Sequence, residues 1–321
     1  MNSEESLKDR FRRAMCAYLS EEMDLDHGDE DHNISDSLSI LNHTLDEFQN
    51  GNINLATLKY RMDNSFTETG YIFPPREVVG AIREVVLNID VDEISPILIK
   101  LGAMPEDLTC AKGQLLDAEE FIELKVANGK VDRSVIYGFY SLITYMWHLQ
   151  APSIWPLYHA QLMSIFQESD IVGQGDPPQD LIEYIMAIQR VEDAVGTKHY
   201  NLIRLLPLLD EELPSEEACV QKSIDMIGVL SESHKWDRVL NWCDLLSAFC
   251  PKKPKAMYGR IAAYEAKGLT MMAIAEAESL VSLLPDDLEA SRKLLSLYRK
   301  KGMVADHNRE VRRIKKALKP T

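Results

Sequence analysis

Tyr264-Glu265-Ala266-Lys267-Gly268 is followed 34 residues later by Tyr298-Arg299-Lys300-Lys301-Gly302, so that Tyr, Lys and Gly each recur at one spacing. Pro251 and Pro285 are also 34 residues apart, and Pro320 follows 35 residues later. A fixed period of this length is typical of stacked helical hairpins, each of which buries its apolar face against its neighbours. The repeat therefore predicts an α-helical array at the C-terminal end of the chain.

Three hairpins are predicted in this array, and each consists of two helices and a turn. Their helices are expected at 223–230 and 236–249, at 256–266 and 270–284, and at 288–300 and 304–318. Gly268 and Gly302 fall in the turns, where a residue without Cβ can adopt positive φ. A proline after the second helix cannot donate a helical N–H, so it ends each unit.

The second unit has a recognisable pattern. Tyr264 lies in its first helix, Gly268 at its turn, Ala273 early in its second helix and Pro285 at its end. This pattern resembles that of tetratricopeptide repeats, and the resemblance covers about a third of the chain. It implies a groove that binds a peptide or another protein.

The other two units depart from the family pattern. The third keeps the Tyr, Gly and Pro but has His307 where the family prefers Ala. The first has Leu230 for Tyr, His234 for Gly and Val239 for Ala. The groove is expected to be lined from the first helix of each hairpin, and the residues we predict to line it are Met257, Arg260, Ile261, Ser291, Lys293 and Leu294.

The rest of the chain has the same 3.6-residue periodicity and little strand-like alternation, which predicts an all-α fold. Residues 1–172 are expected to form a helical domain, within which the acidic stretch 21–39 is a linker. Gly173-Gln174-Gly175-Asp176-Pro177-Pro178 predicts a second linker, because glycine and proline favour turns. Residues 179–321 are expected to be helical and to hold the repeats from about residue 216.

An aromatic segment suggests a second hypothesis. Residues 137–166 hold eight of the 24 aromatic residues and include Trp147-His148-Leu149-Gln150-Ala151-Pro152-Ser153-Ile154-Trp155-Pro156-Leu157-Tyr158. Together with Phe48-Gln49-Asn50-Gly51-Asn52-Ile53-Asn54-Leu55, it resembles an accessory domain of McrB-like modification-dependent restriction systems, over residues 38–166. The resemblance implies recognition of nucleic acid or a modified base, with Trp147, Trp155 and Tyr158 as stacking residues. The alternative is a helical hairpin with buried aromatic residues.

The charge of the chain is −16, and it is unevenly distributed. Residues 290–321 hold eleven Lys or Arg against two acidic residues, a net +9, which leaves −25 on the first 289 residues. An acidic body disfavours direct binding of nucleic acid, whose affinity depends on cationic contacts. The basic end, in contrast, could contact an acidic partner.

Several sequence features indicate the compartment. No run of about 18 uncharged apolar residues occurs, so we expect no membrane span. The first eight residues lack the basic and apolar regions of a signal peptide. Five cysteines without a CxxC spacing favour reduced thiols. We therefore expect a cytoplasmic adaptor that binds another protein or a peptide through its C-terminal repeats.

The sequence contains none of the catalytic or nucleotide-binding motifs GxxxxGK[ST], GxGxxG, HExxH and GxSxG. A third hypothesis, a metal-dependent hydrolase, requires Asp107, Glu123 and Lys125 to converge. The last two fall in a predicted helix at 117–127, where side chains two residues apart point about 200° apart. We therefore expect no enzymatic activity, no cofactor and no metal site.

Overall fold

The computed structural model describes residues 3–21, 28–69, 88–152, 154–196, 202 and 204–317. Throughout these residues the regular structure is helical and no β-strand occurs, so the predicted all-α fold is confirmed. The helices are α1 (Ser3–Glu21), α2 (Gly28–Gln49), α3 (Leu55–Thr69), α4 (Val91–Gly102), α5 (Leu108–Ala127), α6 (Val135–Gln150), α7 (Ala160–Glu168), α8 (Pro177–Val195), α9 (Glu216–Glu232), α10 (Trp236–Phe249), α11 (Pro254–Ala266), α12 (Thr270–Leu283), α13 (Leu288–Lys301) and α14 (Val304–Ala317).

The chain forms two compact units. The first comprises Met1–Leu7, Glu22–Asp193 and Lys198–Leu206, and the second comprises Lys8–Glu21, Ala194–Thr197 and Pro207–Thr321.

Helix α6 is the central helix of the first unit. Thirteen of its residues are buried, as expected for a helix that is apolar on all sides. Helices α2, α4 and α5 pack against it. Lys125 of α5 is also buried, and it forms an ion pair with Glu93 of α4. The core of this unit is therefore built around α6, which holds the first part of the aromatic segment 137–166.

The boundary between the units differs from the predicted linker at 173–178. Helix α8 begins within that stretch, at Pro177, and belongs almost entirely to the first unit. Its Leu181, Tyr184 and Ile188 are buried, and the ring of Tyr184 lies 5.8 Å from that of Phe166. Glycine and proline mark a tight turn equally well within a unit and between units, so composition alone could not distinguish the two.

The acidic stretch 21–39, predicted to be a linker, is largely helical where the structure describes it. Residues 28–39 belong to α2, and residues 22–27 lie outside the described residues. The C-terminal half of α2 buries Leu41, Leu45 and Phe48. Helix formation is cooperative, so a packed end favours extension of the helix into a segment of low apolar content.

In the second unit, three hairpins follow one another: α9–α10, α11–α12 and α13–α14. Consecutive helices pack against each other along the series. Residues Lys8–Glu21 of α1 belong to this unit as well. Arg13 donates to the carbonyl oxygens of Leu213 (2.9 Å) and Pro214 (2.6 Å). Arg10 donates to the carbonyl of Leu209 at 3.0 Å.

The turns of the three hairpins have one backbone conformation. Gly268 and Gly302 have φ values of +74° and +76°, and His234, at the same position of the first hairpin, has φ +57°. In each turn, the residue that follows the left-handed residue donates its N–H to a carbonyl oxygen over 2.8 to 3.0 Å. The accepting carbonyl belongs to the residue four positions before the left-handed one. The 34-residue period therefore reproduces the turn even where glycine is replaced.

Close packing joins the first and second hairpins at Gly259 of α11. A Cβ at this position would lie 2.6 Å from Sγ of Cys243 and 3.0 Å from Cγ2 of Ile227. Cys243 is fully buried, and burial raises the pKa of its thiol to about 12. The absence of a side chain at Gly259 thus lets three helices approach one another.

Candidate partner-binding face

The first helices of the three hairpins, α9, α11 and α13, present one common surface, which we call the A-helix face. It is formed by five rows of exposed or partly exposed residues, in which corresponding positions are 34 residues apart. The rows are Gln221, Lys255 and Glu289; Ile224, Tyr258 and Arg292; Gly228, Ala262 and Ser296; Ser231, Glu265 and Arg299; and Glu232, Ala266 and Lys300.

The middle row of the A-helix face contains only small residues, Gly228, Ala262 and Ser296. A Cβ at Gly228 would meet nothing within 4 Å, so the surface is open at that point. In the second and third hairpins, longer side chains flank the row on both sides. A small-residue row with open space above it lets the backbone of another chain approach closely.

The charge on the A-helix face changes along the array. Glu232 of the first hairpin is exposed, whereas Arg292, Arg299 and Lys300 of α13 are exposed at the other end. Within the described part of the chain, these three basic residues form no ion pair. Between the two ends, Glu265 of α11 pairs with Lys293 of α13. The free positive charge is therefore concentrated on the third hairpin, where it favours carboxylates of a binding partner.

A network around Arg260 holds the helices behind this face. Its guanidinium donates to Asp244 Oδ1 (2.9 Å), Ser247 Oγ (2.8 Å) and the Cys243 carbonyl oxygen (3.1 Å) of α10, and to Glu276 Oε1 (3.2 Å) of α12. Burial nevertheless raises the pKa of Asp244, although the charge of Arg260 acts in the opposite direction. Several charge-assisted hydrogen bonds to one guanidinium fix its geometry, so α10, α11 and α12 form a rigid support.

A second link connects the first helices of the second and third hairpins directly. Tyr258 of α11 donates its hydroxyl hydrogen to Asp287 Oδ2 at 2.9 Å. Asp287 precedes α13 and accepts from the N–H groups of Glu289 (2.8 Å) and Ala290 (3.2 Å). The Ala290 N–H, followed by the Tyr258 hydroxyl, lowers the pKa of Asp287. The start of α13 is therefore fixed against α11.

Most of the residues predicted to line the groove are core residues. Met257, Ile261 and Leu294 belong to the buried apolar cluster of the second and third hairpins. Ser291 is buried and accepts a hydrogen bond from Arg313 of α14 at 2.7 Å. This corrects the prediction for these four: the period identified equivalent positions, but not which side of each helix faces outward.

The remaining two predicted groove residues, Arg260 and Lys293, are partly buried in the ion pairs described above. The residues that form the A-helix face lie beside the predicted ones, and the prediction missed them. A usable signal was present in the sequence: the missed row is small or polar in all three repeats, whereas Met257 and Ile261 are large and apolar, as core residues are.

The structure corrects the aromatic recognition site. Trp147 is fully buried, Trp155 is 3% exposed, and their ring centroids lie 5.4 Å apart. The indole N–H of Trp147 donates to the Leu101 carbonyl at 2.8 Å. Tyr158 is half-buried, with its ring centroid 5.5 Å from that of Tyr184. A base cannot stack on rings whose faces are covered by core residues, so this segment forms the buried alternative.

The residues of the hydrolase hypothesis do not converge. Asp107 caps the start of α5, where it accepts from the N–H of Cys110 at 2.8 Å. Glu123 lies about 24 Å further along the helix axis and pairs with Arg133 at 2.9 Å. Lys125 pairs with Glu93 instead. Among the residues that the structure describes, no group of three or more His, Cys, Asp or Glu could hold a metal ion.

Comparisons with protein families, with curated proteins and with solved structures found no match for this chain. Neither resemblance noted in the sequence is therefore supported by a match. Within the described residues, no helix has both the length and the apolar character needed to cross a membrane.

Proposed function

We propose that this protein is a non-catalytic adaptor, whose tetratricopeptide-like array binds a segment of a partner protein on the A-helix face. The observation that carries the proposal is the recurrence of Gly228, Ala262 and Ser296 as one row of exposed or partly exposed small residues on three helices. The rigid support behind this row holds it in place before binding, which reduces the entropy lost on association. On the sequence grounds given above, the expected compartment is the cytoplasm.

The partner segment is expected to be acidic where it crosses the third hairpin. Arg292, Arg299 and Lys300 are exposed there, and within the described residues they form no ion pair that would supply a counter-charge. Carboxylates of a partner would supply it and would fix the direction in which the segment lies. The small row then takes the segment's backbone or small side chains, which provides apolar contact without a deep pocket.

The proposal is tested by affinity purification of the tagged chain from its own host, followed by mass spectrometry. One variant combines Arg292→Glu, Arg299→Glu and Lys300→Glu on the A-helix face. The matched control combines Arg312→Glu, Lys315→Glu and Lys316→Glu on α14, which are also exposed and give the same change in charge. Nuclease treatment of each sample separates protein partners from those held through nucleic acid.

We expect one protein to be recovered with the wild type and with the control, and at least tenfold less with the A-helix-face variant. The proposal fails if both variants retain the partner equally. It also fails if the partner disappears after nuclease treatment, since nucleic acid would then carry the interaction.

A further inference from the structure

Helices α5 and α6 and the turn before α8 bring three carboxylates and two phenols together in the first unit. Lys112, Glu119 and Glu123 recur on one side of α5, seven and four residues apart, which is helical spacing. Lys112 donates to Gln179 Oε1 of α8 at 2.8 Å. Asp176 accepts from the Gln179 N–H at 3.3 Å. The start of α8 thus lies along the side of α5 that carries the two glutamates.

Tyr140 of α6 is buried beside these same carboxylates. The rings of Phe121 and Phe139 stack at 6.1 Å and hold α5 against α6. Tyr140 is the next residue, and only 2% of it is exposed. Among the residues that the structure describes, its hydroxyl has no hydrogen-bond partner. Buried hydroxyls are normally satisfied, because an unsatisfied one loses its hydrogen bonds to water without replacement.

The electrostatics show that negative charge is in excess here. Burial, followed by the charge of Glu119, raises the pKa of Tyr140, and Asp176 and Glu123 contribute as well. Burial, followed by the charges of Asp176 and Glu123, also raises the pKa of Glu119. Arg133 pairs with Glu123 and opposes this shift, but its side chain is 74% exposed. Among the charges that act on Glu119, the carboxylates of Asp176 and Glu123 therefore outweigh the exposed guanidinium of Arg133.

An exposed aromatic ring completes the arrangement. Tyr137 lies one turn before Tyr140 and is 52% exposed. The two rings meet edge to face, with centroids 6.4 Å apart. We call Glu119, Glu123, Asp176, Tyr137 and Tyr140 the tyrosine–carboxylate cluster. It combines excess negative charge, an unpaired acceptor oxygen and an accessible ring face.

We propose that the tyrosine–carboxylate cluster binds the guanidinium group of an arginine side chain on a partner segment. The described residues include no group of three His, Cys, Asp or Glu that could hold a metal ion, and an aromatic ring beside carboxylates suits a larger, organic cation. A planar guanidinium can bridge two carboxylates, donate to a phenol oxygen and stack on an aromatic ring. An ammonium group lacks this shape. This site lies in the first unit and is independent of the function proposed for the array.

The test uses the full chain with ¹³C-labelled tyrosine rings, titrated with acetyl-arginine amide and with an acetylated Gly-Gly-Arg-Gly-Gly amide. Acetyl-citrulline amide is the neutral control of the same shape, and ionic strength is held constant. We expect the resonances of Tyr137 and Tyr140 to shift saturably with both arginine probes, more tightly with the peptide, and not with citrulline. Glu119→Gln should weaken binding by about tenfold, whereas Glu120→Gln, the exposed neighbour, should not.

Tyr140→Phe separates a binding role from a structural one. If the hydroxyl is reserved for a ligand, this change leaves Tm unchanged or raises it, and weakens binding of the peptide about threefold. A fall in Tm by several degrees would show that the hydroxyl is already satisfied within the fold, which would contradict the proposal. Equal shifts with citrulline, no effect of Glu119→Gln, or tighter binding of spermidine than of the arginyl peptide would also overturn it.

Discussion

The second and third hairpins have the same helix–turn–helix structure. They differ in the side chains on one side of their second helices, the side that would contact a following hairpin. Helix α12 packs between α11 and α13, whereas the main neighbour of α14 is α13. Accordingly, Ile274 and Val281 of α12 are buried, and the residues at the same positions of α14 are the exposed Asn308 and Lys315. A repeat period thus specifies the chain path, and the number of neighbouring helices determines the chemistry of each face.

The largest effect is expected from exchanging these side chains. Ile274→Asn should lower the free energy of unfolding by about 4 kcal/mol, because it removes buried apolar volume and leaves an amide without partners. Asn308→Ile should change it by less than about 0.5 kcal/mol, since that position is exposed. Urea unfolding measures both values. Similar losses in the two variants would show that the helices are equally covered, contrary to the comparison.

Two glycines on A-helices offer a second contrast. Gly259→Ala should destabilise the protein by about 1–3 kcal/mol, because the new Cβ meets Cys243 and Ile227. Gly228→Ala lies in open space and should stabilise α9 by up to about 1 kcal/mol through helix propensity. Thermal unfolding of the two variants gives opposite shifts in Tm. A stabilising Gly259→Ala would mean that the first two hairpins are further apart than described.

The third hairpin has a side-chain cap that the second lacks. Asp287 caps α13, whereas Lys253, before α11, makes no side-chain cap hydrogen bond. Asp287→Ala should cost about 1 kcal/mol at pH 7. Since the fold lowers the pKa of Asp287, its contribution is present above the unfolded-state pKa of about 3.9 and is lost as the pH falls through the folded value. Urea unfolding at pH 7 and pH 3 should show the difference shrinking; a constant difference would contradict this role.

The smallest effect concerns the turns. His234 and Gly268 share a left-handed backbone conformation, which is unfavourable for a residue with a Cβ. Gly268→His should cost about 1 kcal/mol. His234→Gly should gain less than that, because it also removes the contact between the rings of His234 and Trp236 at 5.5 Å. Urea unfolding of the exchange pair checks the signs, and stabilisation by Gly268→His would refute the shared turn.

The hairpins were predictable from the sequence because their turns depend on local chemistry. Gly268 and Gly302 require little more than their own backbone freedom, and the prolines interrupt helices wherever they occur. Even His234, a departure from the pattern, occupies the expected turn. Helix ends near residues 236, 249, 266 and 270 could therefore be placed closely before the structure was known.

The outward faces were not predictable in the same way. Whether Met257 or Tyr258 faces outward depends on how α11 is rotated against α10 and α12, which is a tertiary property. The same holds for Trp147 and Trp155, because an aromatic segment can form a core or a binding site. The tyrosine–carboxylate cluster joins residues of α5, of α6 and of the turn before α8, so no single stretch of sequence contains it.

The central claim is that a partner lies on the A-helix face, and site-specific photo-crosslinking in the host tests it most directly. A photoreactive benzoylphenylalanine is placed at Ala262 or Ser296 on that face, or at Ser279, an exposed position on α12. We expect one crosslinked protein with the first two positions and none with Ser279. Crosslinking from Ser279 alone, or equally from all three positions, would contradict the account.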